Sequence, residues 1–168
     1  MMKWLWIDYI TTYEPNSRLV AIKNIPISEN HMHHYTVDEK PIMPFSLLIE
    51  GMAQSAGILV GSVSRFKEKV ILAKIRNATI NSDVTSGDAV RFDASIEHID
   101  QGGASTTGLI DRRIAGGDAW ARIGEIDLMF SHIDKNMAGI DFPKENFVFS
   151  DNFKLVLEQA GLADLAET

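Results

Sequence analysis

The sequence predicts an α+β fold in which one long apolar helix is enclosed by an antiparallel sheet, and three observations carry this reading. The stretch Phe45 to Ser64, FSLLIEGMAQSAGILVGSVS, holds a single charged residue, Glu50. Three runs in the second half of the chain are separated by glycine turns, and the first of them alternates strictly between apolar and polar residues. Two further runs rich in Val and Ile flank the apolar stretch, one on each side. The 168 residues are 45% hydrophobic and 23% charged, as in ordinary globular chains, and suffice for one compact domain with a tail.

Each element has a local reason. Arg18 to Ile25 is a β-branched run and reads as the first strand. Pro44 and Ser46 supply a start for the helix, in which Leu48, Met52, Ser55, Ala56, Leu59 and Val63 recur at helical spacing. Ile58 and Gly61 lie on the other side, so neither side is polar and both should be covered. Its length invites comparison with a membrane span, but Glu50 and Gln54 argue for a buried central helix instead. Val70 to Ile80 is the next strand. From Ala89 to Ile99, Val90, Phe92, Ala94 and Ile96 fall on one face and Arg91, Asp93, Ser95 and Glu97 on the other. Turns at Asp100-Gln101-Gly102-Gly103 and Ala115-Gly116-Gly117-Asp118 join this strand to Ala104 to Ile114 and then to Ala119 to Ile133, forming a meander. A short amphipathic helix is predicted from Ser150-Asp151, with Phe153, Val156 and Leu157 as its apolar side.

Composition excludes several classes. The chain has no Cys, which removes disulfide scaffolds and Cys-ligated zinc sites. Sixteen basic against 23 acidic residues give a net charge of -7, without the basic field that phosphate neutralisation requires, so nucleic acid is not an expected partner. Met1 to Asp8 places an acid after four apolar residues and lacks a signal-peptide core, so a cytoplasmic protein with no membrane partner is expected.

The helix entry is more specific than the pattern around it. Pro41-Ile42-Met43-Pro44-Phe45-Ser46-Leu47-Leu48-Ile49-Glu50-Gly51-Met52-Ala53-Gln54 resembles the P-x-M-P-G-x-L-x-x-E-A-x-x-Q signature of the beta-hydroxyacyl-acyl-carrier-protein dehydratases, which have the hot-dog fold. Arg18 to Asn24 looks like the first core strand of that family, and Ser86-Gly87-Asp88 resembles its P-G-D turn. The resemblance implies a hot-dog dehydratase-like domain over residues 1–133 and a C-terminal extension with a short helix over 134–168. It also implies a lyase removing water from a 3-hydroxyacyl thioester, with no cofactor.

That chemistry needs a base for the proton α to the carbonyl, an acid for the departing hydroxyl, and a donor for the carbonyl oxygen. By motif position the resemblance implies Glu50 as the acid, and places Phe45 where the family has the glycine whose amide is the donor. Gln54 matches the family glutamine; it can orient the carboxyl or satisfy the backbone of a covering segment. The family base belongs to G-H-F-P, which is missing. The segment reads His31-Met32-His33-His34-Tyr35-Thr36, and His34 before the aromatic Tyr35 is the closest match, with His33 and His31 in reserve or the whole run a solvated loop. Three imidazoles so close also raise a metal site completed by Asp38 or Glu39, but the spacing fits no recognised set and none is expected.

The implied partners are an acyl thioester and an acidic acyl carrier protein. Arg65, Lys67, Lys69, Lys74 and Arg76 are the candidate positive patch for that carrier, or a solvated surface. A homodimer or a multiple of dimers, paired along sheet edges, is expected. The rival readings are a thioesterase on the same fold and a catalytically degenerate acyl-binding homologue.

Overall fold

The computed structural model describes residues 4–26, 36–37, 40–136, 139, 149 and 151–165. Six antiparallel strands form one sheet in the order β1-β2-β6-β7-β8-β5. They are β1 (Tyr9–Glu14), β2 (Arg18–Asn24), β5 (Val70–Ile80), β6 (Ala89–Ile99), β7 (Gly103–Arg113) and β8 (Ala121–His132). Thr36–Val37 and Lys40–Pro41 form a separate small ribbon, β3 and β4. Among the described residues the α-helices are α1 (Phe45–Val63), the short α2 (Ile133–Asn136) and α3 (Asp151–Gln159), followed by a 3-10 turn at Ala163–Leu165.

The meander reads as expected. β6, β7 and β8 pair in sequence, with Phe92 opposite Ile110 and Leu128 opposite Thr106. The chain leaves the sheet after β2, runs through α1, and re-enters at the far edge as β5, which pairs with β8; β6 then returns beside β2. This route lays α1 across one face of the sheet, where it packs mainly on β6, β5 and β2 and also touches β7 and β8. The sequence reading missed β1. Five of its six residues, all but Thr11, pair with β2, with a bulge between Ile10 and Thr12.

Thirteen residues of α1 are buried, including the expected Leu48, Met52, Ala56 and Leu59, and Ile58 and Gly61 behind them. The length and apolarity of a membrane span are therefore those of a core helix covered by its own sheet. Full burial of side chains such as Leu48, Ile58, Leu59 and Met52 contributes about 1.5–3 kcal/mol each. Two glycines permit this close seating. The space beside Gly51 is filled by the ring of Phe92, and that beside Gly108 by the end of Met52. Only Val63 departs from the expected buried set, at the last turn, where it is exposed.

The Ser86-Gly87-Asp88 turn is built around one carboxylate. Gly87 has φ of 90°, which glycine adopts without a Cβ clash. Buried Asp88 accepts hydrogen bonds from the Thr85 amide (2.8 Å), the Ala115 amide (3.0 Å) and Arg112 Nε (2.7 Å). The turn also receives the chain before α1: Met43 N–H donates to the Val84 carbonyl at 2.8 Å, and Ser86 N–H to that of Pro41 at 3.2 Å. The start of α1 is thus held against the loop between β5 and β6.

Candidate active site

Glu50 is half-buried in the second turn of α1. Its Oε1 accepts one hydrogen bond from Gln54 Nε2 at 2.8 Å and another from Trp4 Nε1 at 3.2 Å. Four residues apart on a helix, Glu50 and Gln54 share a face. The amide of Gln54 is itself oriented, because its Oε1 accepts from the buried Trp6 N–H at 2.8 Å and its Nε2 also reaches the Trp4 carbonyl at 3.4 Å. Gln54 therefore does both things the sequence left open: it positions the carboxyl and satisfies covering backbone.

The covering segment is the N-terminal Trp4-Leu5-Trp6. Alternation along an extended chain brings both indoles to one side, and their rings meet edge to face at 5.5 Å. Sequence reasoning used this segment only to ask about a signal peptide and missed Trp4 as a partner of Glu50. The Trp-x-Trp spacing was the available signal, but its target lies 46 residues away.

An apolar cavity of about 290 Å³ opens beside the carboxyl. Glu50, Gln54 and Gly57 of α1, Leu72 of β5, Phe130 of β8 and Phe153 of α3 are among its walls. A second cavity of about 610 Å³ lies at the start of α1, between Met43, Phe45 and Ser46 on one side and Asn81 and Asp83 on the other. Pro44 precedes the helix without a side-chain cap, and the first amides of an α-helix have no intrahelical acceptor. Phe45 is 46% exposed, so its ring stands at the surface of this second cavity.

His31, His33 and His34, with Asp38 and Glu39, lie outside the described residues. Among the described residues no group of three or more His, Asp or Glu is placed to hold a metal. The expected positive patch is corrected in one member. Lys69 is buried, with its ammonium 2.9 Å from Asp134, and cannot serve a surface patch. Arg65 donates to the Asp164 carbonyl at 2.8 Å, and Arg76 pairs with Glu97 at 3.1 Å.

Comparison with known proteins bears on the fold and the family. Residues 2–121 match the family model of the FabA-like domain. The chain is 31% identical over 138 residues to the 3-hydroxyacyl-[acyl-carrier-protein] dehydratase FabZ of Clostridioides difficile, covering 79% of this chain and 89% of that protein. It is 35% identical over 94 residues to the FabZ of Clostridium acetobutylicum, a match spanning 55% of this chain and 65% of the relative, just under two thirds of its length. Among solved structures, the dehydratase heterocomplex ApeI:P of Xenorhabdus doucetiae superposes with a TM-score of 0.61 at 14% identity, over 79% of this chain and 85% of that one. An acyl-CoA hydrolase of Agrobacterium tumefaciens does so with 0.56 at 15% identity, over 74% and 46%. At such identities these structures speak for the hot-dog fold alone. Helix, sheet order and the Glu50–Gln54 pair all fall within or around the matched segment, and the chain belongs to the FabA-like family.

Proposed function

We propose that the protein is a hydro-lyase that converts a 3-hydroxyacyl thioester into the 2-enoyl thioester and water, in fatty acid or related acyl synthesis. The observation that carries this reading is the Glu50 carboxyl, oriented by Gln54 and Trp4 at the wall of an apolar cavity. The dehydratase relatives support the same reaction class. Both N–H donors reach Oε1, so Oε2 is the oxygen assigned to exchange a proton with the substrate. His34 takes the C2 proton, protonated Glu50 delivers a proton to the C3 hydroxyl, and the C3–O bond breaks as the C2–C3 double bond forms. The Phe45 amide at the start of α1 stabilises the negative charge on the thioester oxygen.

The reading includes a homodimer or a multiple of dimers, in a cytoplasmic setting. β5 is an edge strand that leaves Ile71, Leu72 and Ile75 exposed in a single chain, and it also borders the Glu50 cavity. Pairing along this edge brings a second copy to the site, so that His34 is contributed across the interface. The carrier is an acidic acyl carrier protein, met by the remaining exposed basic residues Lys67 and Lys74. Residues 1–133 form the catalytic domain and 134–168 its extension.

The test is hydration of a short 2-enoyl thioester, followed by loss of enoyl absorbance. Glu50→Gln should keep the fold and lower the rate by roughly a hundredfold or more, the usual cost of losing a general acid. His34→Ala should abolish hydration, whereas His31→Ala should not. Release of free thiol by the wild type without hydration would replace the lyase with a thioesterase. Tight acyl binding without turnover would identify a degenerate homologue.

A further inference from the structure

We propose that the C-terminal extension sets the length of acyl chain this site accepts, with Phe149 and Phe153 as the residues that stop it; the proposal rests on the thioester reading of the Glu50 cavity. Glu50, Gln54 and Gly57 follow one another along a single face of α1 and line the cavity. Seven residues of helix from Glu50 to Gly57 span roughly 10 Å. Gly61 comes one turn later, and there the way is shut. The ring of Phe149 lies so close that a Cβ on Gly61 would stand 2.8 Å from its Cζ.

The stop is built, not incidental. Phe149 packs edge to face on Phe66 at 4.7 Å and on Phe153 at 5.8 Å, so three rings brace one another at this end. The helix that carries Phe153 is anchored by Val156 and Leu157, each 2% exposed, and the segment after it by Arg65 Nη2 on the Asp164 carbonyl. The match to the FabA-like family model ends at residue 121, before either phenylalanine. The cavity they close, about 290 Å³, sits at the lower bound of the roughly 300–1,000 Å³ of small-molecule sites. With carbon–carbon bonds of about 1.5 Å along a zigzag, a 10 Å run holds roughly eight carbons beyond the reacting centre. The substrate class is therefore short- and medium-chain acyl thioesters.

The experiment compares wild type, Phe153→Ala and Phe149→Leu on pantetheine 2-enoyl thioesters of four to fourteen carbons, and on the matching unreactive S-alkyl pantetheines by calorimetry. Phe149→Leu retains an apolar contact with Phe66, which guards against a result caused by misfolding. The expected result is a wild-type fall in kcat/KM beyond about ten carbons, and a rise of about tenfold or more in the twelve-carbon to four-carbon ratio in the variants, the low end of what one methylene is worth in an apolar pocket. Gly57→Ala should move the ratio the other way, because its methyl enters the cavity at an ordinary 3.7 Å from Phe130. An identical length profile in all four proteins overturns the proposal. If the wild type hydrates no thioester, the lyase reading fails separately. The S-alkyl series then decides: a length limit in affinity that the variants displace supports the stop, and an undisplaced limit or no binding overturns it.

Discussion

Replacing Gly51 by alanine should destabilise this protein, although the same change six residues later, at Gly57, should stabilise it. Removing a glycine from a helix interior gains about 0.5–1 kcal/mol at either site, because the unfolded chain loses freedom and the helix loses none. The surroundings decide the sign. A Cβ at Gly51 would lie 2.6 Å from Cε2 of Phe92 and closer still to its Cζ. Phe92 is fully buried in β6, between β2 and β7, so its ring has no solvent to move into. Such overpacking costs about 1–3 kcal/mol, and set against that gain the middle of the two ranges leaves Gly51→Ala less stable by about 1 kcal/mol. At Gly57 the nearest atom, Phe130 Cε1, is 3.7 Å away, an ordinary contact, and the helix gain survives. Urea unfolding at one fixed protomer concentration reads both effects. In thermal unfolding at the same concentration the midpoint temperature should fall by about 2–4 °C for Gly51→Ala, at the 2–4 °C per kcal/mol expected for chains of this size. A Gly51→Ala protein as stable as wild type would show that α1 is not seated against Phe92 as described.

Other outcomes follow from the polar interior and the sheet edge. Asp88→Ala strands Arg112 and two backbone amides and should cost about 3 kcal/mol in urea unfolding, the low end for breaking a buried pair. Burial opposes ionisation of Asp88 and Asp111, yet the Thr85 and Ala115 amides and Arg112 at the first, and Arg122 and Arg91 at the second, prevail and hold both carboxyls below the usual carboxylate range. Their contribution is thus complete above the unfolded value of 3.8 and disappears as pH falls through the lower folded values, so the urea midpoint should drop on acidification below about pH 4. Asp111→Asn should flatten that drop. Gln54→Ala leaves the buried Trp6 N–H without its acceptor and should cost about 1–3 kcal/mol, while kcat for enoyl hydration falls because the Glu50 carboxyl loses its orienting donor. Sedimentation at micromolar concentration should show a dimer or a multiple of dimers, and Ile75→Asp on the exposed face of β5 should shift it toward monomer; a strictly monomeric wild type would count against a shared site.

The order of helix and meander was legible because its causes are local. The helix α1 declares itself by nineteen residues with one charge, and β6 by strict alternation closed by glycine turns. β1 has no such contrast. Tyr9–Glu14 is a short edge strand of mixed exposure, and it becomes a strand by pairing with β2. The same distinction divides the site. Glu50 and Gln54 were found from their match to the family signature at the helix entry, and their separation of four residues then places them on one helix face.

Their partners were not legible. Trp4 meets Glu50 across 46 positions, and Phe149 reaches Gly61 from the other end of the chain. Lys69 was read as surface charge because its letter does not disclose Asp134, 65 residues away. The sequence by itself determined the central helix, the short C-terminal helix and five of the six strands of the sheet, which faces are apolar, and which carboxyl sits at the helix entry, because period, turn chemistry and capping act within a few residues. The tertiary structure alone decided which residues orient that carboxyl, where the cavity beside it ends, and which charges are buried. Those contacts depend on how the folded sheet and the extension close around α1, and no local window of the chain contains both sides of them.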